Sequence, residues 1–132
     1  MHIDGGCHCG AIRYEADVDP EETIICHCTD CQALSGSAYR TVNFVPEEQF
    51  TLVAGDLKMY VKTADSGNRR AMMFCPDCGT QIYATSVDGD AGVLGLRVGT
   101  ARQRADLRPR KQCWCRSALD WTSDLSGVER VE

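Results

Sequence analysis

The motif Cys75-Pro76-Asp77-Cys78-Gly79 decides how this chain folds, because it brings two cysteine sulfurs to one point. Pro76 restricts the backbone at the start of the turn, and Gly79 accepts a positive φ at its end. Both sulfurs can then converge on one ion, as in a zinc-binding turn. A redox dithiol needs a helix after its first cysteine, whereas a strand pattern follows Gly79. The motif therefore predicts half of a zinc site.

Two further cysteine clusters lie upstream of this motif, Cys7-His8-Cys9 and Cys26-His27-Cys28-Thr29-Asp30-Cys31. A closed tetrahedral zinc site needs four ligands, so the 75–79 motif needs two more sulfurs. The first cluster could supply them, which leaves the three cysteines of the second cluster as a separate group. Three protein ligands and an open position are typical of a catalytic zinc. A cysteine of the second cluster could instead combine with the 75–79 motif, and spacing alone leaves both pairings open.

Composition and cysteine usage favour one globular domain in a reducing compartment. Of the 132 residues, 43% are hydrophobic and 25% charged, a balance that argues against disorder. The nine cysteines are odd in number, and Cys-x-Cys pairs are hard to bridge by unstrained disulfides. No apolar run approaches the ~20 residues of a membrane span, and the first six residues are no export signal. We therefore expect a single zinc-binding domain over residues 1–132, cytoplasmic and without a membrane partner.

Short strands dominate the predicted secondary structure. Alternation of apolar and polar residues with a period of two is typical of a half-buried strand, and Gly and Asp turns separate such segments. Helix is limited to one short segment that Thr29 or Asp30 could cap and that runs to about Leu34, and to a single turn that Pro46 could start. The fold class is therefore predicted as mainly β, a small single domain of short antiparallel sheets organised around zinc knuckles. The strands are expected around residues 12–16, 23–26, 39–45, 50–53, 57–62, 71–74, 80–86, 93–98 and 112–115.

Charge is distributed unevenly along the chain, whose net charge is −5. Residues 1–48 carry nine acidic and two basic residues, whereas residues 97–116 carry seven basic residues against Asp106 alone. A solvated face that pairs with the acidic half is the simplest explanation. The alternative is a patch that receives an acidic small molecule, because the planar fork of arginine grips carboxylates. Nucleic acid is not an expected partner of a chain with a pI near 5.1.

The two remaining cysteines, Cys113 and Cys115, flank Trp114 in a predicted strand. Alternate residues of a strand point to the same face, so both sulfurs are expected on one side. They are spare ligands, a redox pair or, in the interpretation that we favour, small buried residues. Trp114 and Trp121 are expected to belong to the core or to the wall of a pocket.

Three segments in this order resemble the glutathione-dependent formaldehyde-activating family, which includes centromere protein V. They are GGCHCGAIRYEA at residues 5–16, CHCTDCQALSGSAY at residues 26–39 and FCPDCGTQIY at residues 74–83. All seven clustered cysteines fall in the pattern of that family. The resemblance implies a small, tent-like all-β fold that binds two zinc ions. By position, Cys7, Cys9, Cys75 and Cys78 would hold a structural zinc, and Cys26, Cys28 and Cys31 a catalytic zinc.

The resemblance also implies an activity, a zinc-dependent carbon–sulfur lyase-type reaction on adducts of glutathione and an aldehyde. The alternative is a non-catalytic zinc module that binds a thiol cofactor or a protein partner. Glutathione carries two carboxylates, for which Arg40 and the arginines of residues 97–116 are candidate partners. His27 lies between two ligand cysteines and could act as a proton shuttle. Alternatively, His8 and His27 are spacers whose rings face away from the metal.

Overall fold

The computed structural model describes residues 1–88 and 92–132, which form ten β-strands and one α-helix. The mainly β fold class is thus confirmed. The predicted short helix is present as α1, but the expected cap is wrong, because Cys28 rather than Thr29 or Asp30 caps it. Several 3-10 turns, among them residues 98–100, 104–106 and 115–117, connect the strands. The elements are β1 (His2–Gly6), β2 (Arg13–Asp17), β3 (Thr23–Cys26), α1 (Thr29–Ser35), β4 (Arg40–Pro46), β5 (Phe50–Ala54), β6 (Lys58–Thr63), β7 (Arg69–Phe74), β8 (Gln81–Ser86), β9 (Val93–Arg97) and β10 (Lys111–Cys113).

The strands form two sheets. The smaller sheet has the order β1-β2-β5, and the larger sheet has the order β10-β3-β4-β9-β8-β7-β6. Neighbouring strands are antiparallel, as predicted, in both ladders of the small sheet and in five of the large one. The exception is the pair β10 and β3, which is parallel and sets Cys113 opposite Cys26. The connection between β9 and β10, residues 98–110, is long enough for β10 to lie beside β3 in the same direction.

Sequence patterning did not predict the first strand. The segment His2–Gly6 has a buried Ile3 but no clear alternation, and its two glycines disfavour a strand on propensity alone. It forms nevertheless because all five residues pair with β2, from His2 opposite Asp17 to Gly6 opposite Arg13. Long-range pairing therefore overrides local preference at this position.

The hydrophobic core joins the two sheets. Ile3 and Tyr14 come from the small sheet, and Val45 and Leu96 come from the large one; all four side chains are buried in one cluster. The rings of Tyr14 and Phe50 stack at 5.2 Å, and Phe50 meets the edge of Tyr83 at 5.2 Å. This aromatic chain runs from the small sheet to β8 and fixes how the sheets face each other.

The hydroxyl of Tyr14 extends this connection to the segment after β9. It lies 2.9 Å from the Thr100 hydroxyl, which itself donates to the carbonyl of Arg97 at 2.7 Å. A buried hydroxyl that keeps its hydrogen bond stabilises the folded state. Separately, no helix among the described residues has the length and apolarity that crossing a membrane would require.

Replacement of Tyr14 by Phe should make the folded state less sensitive to alkaline pH. Burial raises the pKa of Tyr14 to about 12, whereas an unfolded tyrosine titrates near pH 10. The contribution of the neutral hydroxyl is therefore present below pH ~10 and is lost as the pH rises towards 12. Tyr14→Phe should cost about 1 kcal/mol at pH 8 and remove this alkaline loss.

Denaturant unfolding between pH 8 and pH 11.5 measures this difference. Tyr60→Phe is the matched control, because Tyr60 is exposed on β6 and belongs to no buried cluster. Identical slopes of stability against pH in the wild type and the Tyr14 variant would contradict the prediction.

Candidate metal centres

Four cysteine sulfurs converge where the two sheets meet. Cys7 and Cys9 lie in the turn between β1 and β2, and Cys75 and Cys78 lie in the turn between β7 and β8. All four sulfurs lie within 4.8 Å of one another. Cys9 is 3.5 Å from Cys7 and 3.8 Å from Cys75, sulfur to sulfur. Four metal–sulfur bonds of about 2.3 Å, the length found at zinc, give tetrahedral edges of about 3.8 Å. The cluster can therefore hold a metal ion.

Each turn of this cluster is closed by a glycine with positive φ. Gly79 has φ +79° and donates its N–H to the carbonyl of Cys75 at 2.9 Å. Gly10 has φ +86° and donates in the same way to Cys7 at 3.2 Å. A side chain with a Cβ is strained at such φ values. The positive φ expected at Gly79 is thus confirmed, and the turn of the first cluster also ends in a glycine with positive φ, Gly10.

Hydrogen bonds to sulfur favour the thiolate form of Cys78 in this cluster, whereas the contact with Cys7 raises the pKa of Cys9 to about 12. The Thr80 hydroxyl lies 3.2 Å from the sulfur of Cys78 and lowers the pKa of that thiol to about 5. The backbone N–H of Ile12 donates to the sulfur of Cys7 at 3.2 Å. Thr80 also accepts the N–H of His8 at 3.1 Å, so it connects the two turns. Sequence reasoning missed Thr80, although its place directly after the motif was the available signal.

The second cluster contains the sulfurs of Cys26, Cys28 and Cys31, which also lie within 4.8 Å of one another. Cys26 ends β3, Cys28 is the N-cap residue of α1, and Cys31 is in the first helical turn. The sulfur of Cys28 accepts the N–H of Cys31 at 3.2 Å, as a capping side chain does. All three cysteines are partly exposed. Three soft donors can hold a metal ion and leave room for a fourth ligand.

Thiolate character is also favoured in the second cluster. A hydrogen bond from Cys31 and the nearby charge of Arg40 contribute to lowering the pKa of Cys26 to about 5. The same interaction, together with burial, raises the pKa of Cys31. The lowered pKa of Cys26 favours the thiolate form that metal binding requires.

The loop between these cysteines is held by polar contacts. His27 is 1% exposed, its Nε2 lies 2.8 Å from Oε1 of Gln112, and its ring meets the edge of Tyr39. The side-chain amide of Gln32 donates to the carbonyls of His27 and Ser117, both at 2.9 Å. Neither glutamine was singled out from sequence; the contacts of Gln112 with His27 and of Gln32 with Ser117 join parts of the chain that only the fold brings together.

The arginines of residues 97–116 separate into different environments. Arg102 pairs with Asp4 at 3.0 Å and Arg110 with Glu21 at 3.3 Å, so both meet the acidic half of the chain. Arg116 lies over the ring of Trp114, with 5.1 Å from its Cζ to the ring centre. Arg97 instead turns inwards and lines a cavity together with Arg40. The segment is therefore not one continuous patch.

The prediction for Cys113 and Cys115 is wrong. The strand ends at Cys113, and Trp114 adopts the left-handed conformation with φ +58°, which rotates the following residue away from the strand. Cys113 is partly buried and Cys115 is exposed, so they are not two small core residues. Trp114 and Trp121 are also exposed, at 56% and 57%, and do not belong to the core.

Metal analysis should return two ions per chain for fully loaded protein, because each cluster offers one compact set of sulfurs. The group of three holds metal less firmly than the group of four, so dilution into a weak chelator should remove one ion first. Protein purified without chelator and analysed by inductively coupled plasma mass spectrometry tests the stoichiometry. One ion or none per chain would contradict the separation into two clusters.

Comparison with known proteins agrees with these centres. A model of the family described as glutathione-dependent formaldehyde-activating enzyme matches residues 2–117, a range that includes both cysteine clusters. The crystal structure of a Rhodobacter sphaeroides protein has a similar fold, with a TM-score of 0.64 and 19% sequence identity. The alignment covers 83% of this chain and 98% of that one. Because the family model spans most of the sequence, the chain belongs to the glutathione-dependent formaldehyde-activating family.

Proposed function

We propose that the chain is a zinc-dependent carbon–sulfur lyase-type enzyme that forms and cleaves the adduct of glutathione and formaldehyde. The observation that carries the proposal is the pair of unequal thiol clusters, one with four sulfurs and one with three. Membership of the glutathione-dependent formaldehyde-activating family supports the choice of substrates. We further propose that residues 1–132 act as one domain, since both sheets contribute to one core.

Zinc is the metal that we propose for both clusters. Thiolate sulfur is a soft ligand, and four sulfurs in a tetrahedral arrangement are typical of structural zinc. We assign Cys7, Cys9, Cys75 and Cys78 to a closed structural zinc. The nine cysteines all lie in the described residues and are free thiols, which suits a reducing compartment and supports a cytoplasmic location.

Cys26, Cys28 and Cys31 are the residues that we assign to a catalytic zinc. Three protein ligands would leave one coordination position, and a zinc ion held there would supply the Lewis acidity that lowers the pKa of a bound thiol. In the overall reaction, a bond forms between the thiol sulfur and the aldehyde carbon, and the thiol proton ends on the former carbonyl oxygen. Nothing is oxidised or reduced, so no further co-reactant is needed.

The residues around this cluster orient the ligands. Cys28 is both ligand and helix cap, so α1 and the cluster form together. Gln32 and Gln112 hold the loop on either side of His27. We assign His27 a positioning role rather than proton transfer, because its buried Nε2 is engaged by Gln112. Because the three cysteines are partly exposed, a thiol held at this cluster would remain accessible to an aldehyde from solvent.

Magnetisation exchange by nuclear magnetic resonance tests the activity. The rate of exchange between glutathione and S-(hydroxymethyl)glutathione should rise in proportion to added protein, above the uncatalysed rate in buffer. Cys28→Ser should return the rate to the uncatalysed level, because one ligand of the open site is lost. Cys115→Ser is the matched control, since Cys115 is exposed and outside both clusters.

An exchange rate that does not change with protein concentration would overturn the enzymatic proposal. If glutathione still binds under those conditions, the chain is a non-catalytic zinc module that holds a thiol.

The two clusters should respond differently to loss of a sulfur. Cys75 is fully buried in the core cluster, and metal binding at a structural site supplies folding free energy on the order of 10 kcal/mol. Cys75→Ser should therefore give insoluble or unfolded protein. Cys28→Ser should retain the fold, because a serine hydroxyl can accept the N–H of Cys31 and cap α1 as the sulfur does. Circular dichroism and thermal unfolding compare the two variants, and equal loss of structure would contradict the assignment.

A further inference from the structure

A cavity of about 300 Å³ lies between the end of α1 and the start of β8. Its polar lining comes from Ser35, Thr80 and Gln81, and two arginines, Arg40 and Arg97, complete it. Cavities of roughly this size, about 300 Å³ and above, are the usual dimension of small-molecule sites. Thr80 is the residue that contacts Cys78, and Ser35 follows Cys31 by one helical turn, so the lining includes residues next to both thiol clusters.

The strand register brings both arginines to the three-cysteine cluster. Arg40 is paired with Cys26 across β3 and β4, and Arg97 is paired with Val42 across β4 and β9. Arg40 and Val42 are two residues apart on one strand and so share a face of the sheet. Cys26, Arg40 and Arg97 therefore project from the same side.

Arg40 is a buried cation without a hydrogen-bond partner. It is 5% exposed, and its three guanidinium nitrogens contact no acceptor among the described residues. No carboxylate of the described residues lies within 4 Å of it, unlike Arg102 or Arg110 on the surface. The charges that it faces are those of the thiol cluster, which oppose the decrease in its pKa that burial causes. Buried guanidinium nitrogens with no acceptor are costly and call for an anion.

Only two of the three guanidinium nitrogens of Arg97 have hydrogen-bond partners. Its Nη1 donates to the carbonyl of Gly95 at 3.2 Å, and its Nη2 lies 3.4 Å from the sulfur of Met72. Its Nε has no partner among the described residues. Burial and the nearby charge of Arg40 lower the pKa of Arg97 to about 9, so it remains a cation at neutral pH. Two cations thus share a largely buried space.

The two guanidiniums have a charge of +2. Three thiolates and one divalent ion would have a formal charge of −1, and a bound thiolate ligand would bring it to −2, so both arginines are balanced once the sulfur of the ligand is counted. What remains without a partner is the set of buried guanidinium nitrogens, which need acceptors such as carboxylate oxygens.

We propose that Arg40 and Arg97 form a carboxylate-binding subsite, which holds a carboxylate of the thiol ligand while its sulfur reaches the three-cysteine cluster. The inference rests on the proposed function, because it takes the ligand to be a thiol that binds at that cluster. Arginine suits this task because its planar fork can donate two parallel hydrogen bonds to one carboxylate. Of the candidate arginines, these two are the ones that reach the cavity.

Binding of three small molecules to cobalt-loaded protein tests the subsite. Glutathione has the thiol and the carboxylates, S-methylglutathione has the carboxylates without a free thiol, and 2-mercaptoethanol has the thiol alone. Isothermal titration calorimetry gives the affinities, and the cobalt absorption bands report whether sulfur reaches the metal. The variant is Arg97→Gln, and the matched control is Arg110→Gln, an arginine of the same segment that pairs with Glu21 on the surface.

Arg97→Gln should weaken glutathione and S-methylglutathione about tenfold or more, the usual effect of losing a charge-assisted hydrogen bond. The affinity for 2-mercaptoethanol should stay within about threefold of the wild type, because that ligand has no carboxylate. Arg110→Gln should change none of the three. Arg40→Lys keeps the buried charge but lacks the fork, and it should show the same selective loss if Arg97→Gln does not fold.

Three other outcomes are informative. Equal weakening of 2-mercaptoethanol and glutathione would overturn the subsite, since the arginines would then serve the charge of the cluster alone. Unchanged glutathione affinity in folded variants would also overturn it, and the proposed function would stand if glutathione still shifted the cobalt bands. Selective, arginine-dependent binding of S-methylglutathione without any effect of thiols on those bands would support the subsite and contradict the proposed open metal position.

Discussion

The convergence of four cysteine sulfurs between two turns is the constraint on which the rest of the structure depends. One turn connects strands of the small sheet, and the other connects β7 and β8 of the large sheet. The two turns are far apart in sequence, so the cluster closes a long loop of the chain, and such a closure is worth most when the loop is long. Cys75 is part of the hydrophobic core itself, so a metal ion held by this cluster and the packing of the core would support each other at this point.

The same turn that supplies two sulfurs also shapes the space beside the second cluster. Thr80 contacts the sulfur of Cys78 and lines the cavity, while Gln81 lines it and donates to the carbonyl of Leu34 at the end of α1. Thr80 and Gln81 therefore link the position of the four-sulfur cluster to the wall of the cavity beside the three-cysteine cluster. A disturbance of the four-sulfur cluster would displace the cavity wall as well as the core.

Two buried arginines next to the three-cysteine cluster have guanidinium nitrogens without hydrogen-bond partners. On the surface, Arg69 and Arg102 pair with carboxylates, and Arg116 lies over an aromatic ring. Arg40 and Arg97 instead keep unpaired nitrogens in a buried setting, which costs stability. Buried polar groups without partners are found mainly at functional sites, where a ligand supplies the missing hydrogen-bond acceptors.

The sequence alone determined the features that depend on neighbouring residues. The sulfurs of the 75–79 motif converge because a glycine with positive φ closes the turn, and a short helix lies in the second cysteine cluster as expected, although Cys28 rather than Thr29 or Asp30 caps it. Tertiary structure decided the features that depend on distant residues. The strand at His2–Gly6 exists through its partner, β10 lies parallel to β3, and Trp114 separates Cys113 from Cys115. Among the candidate arginines, strand register selected Arg40 and Arg97, because the face on which a side chain lies is set by pairing across the sheet rather than by position along the chain.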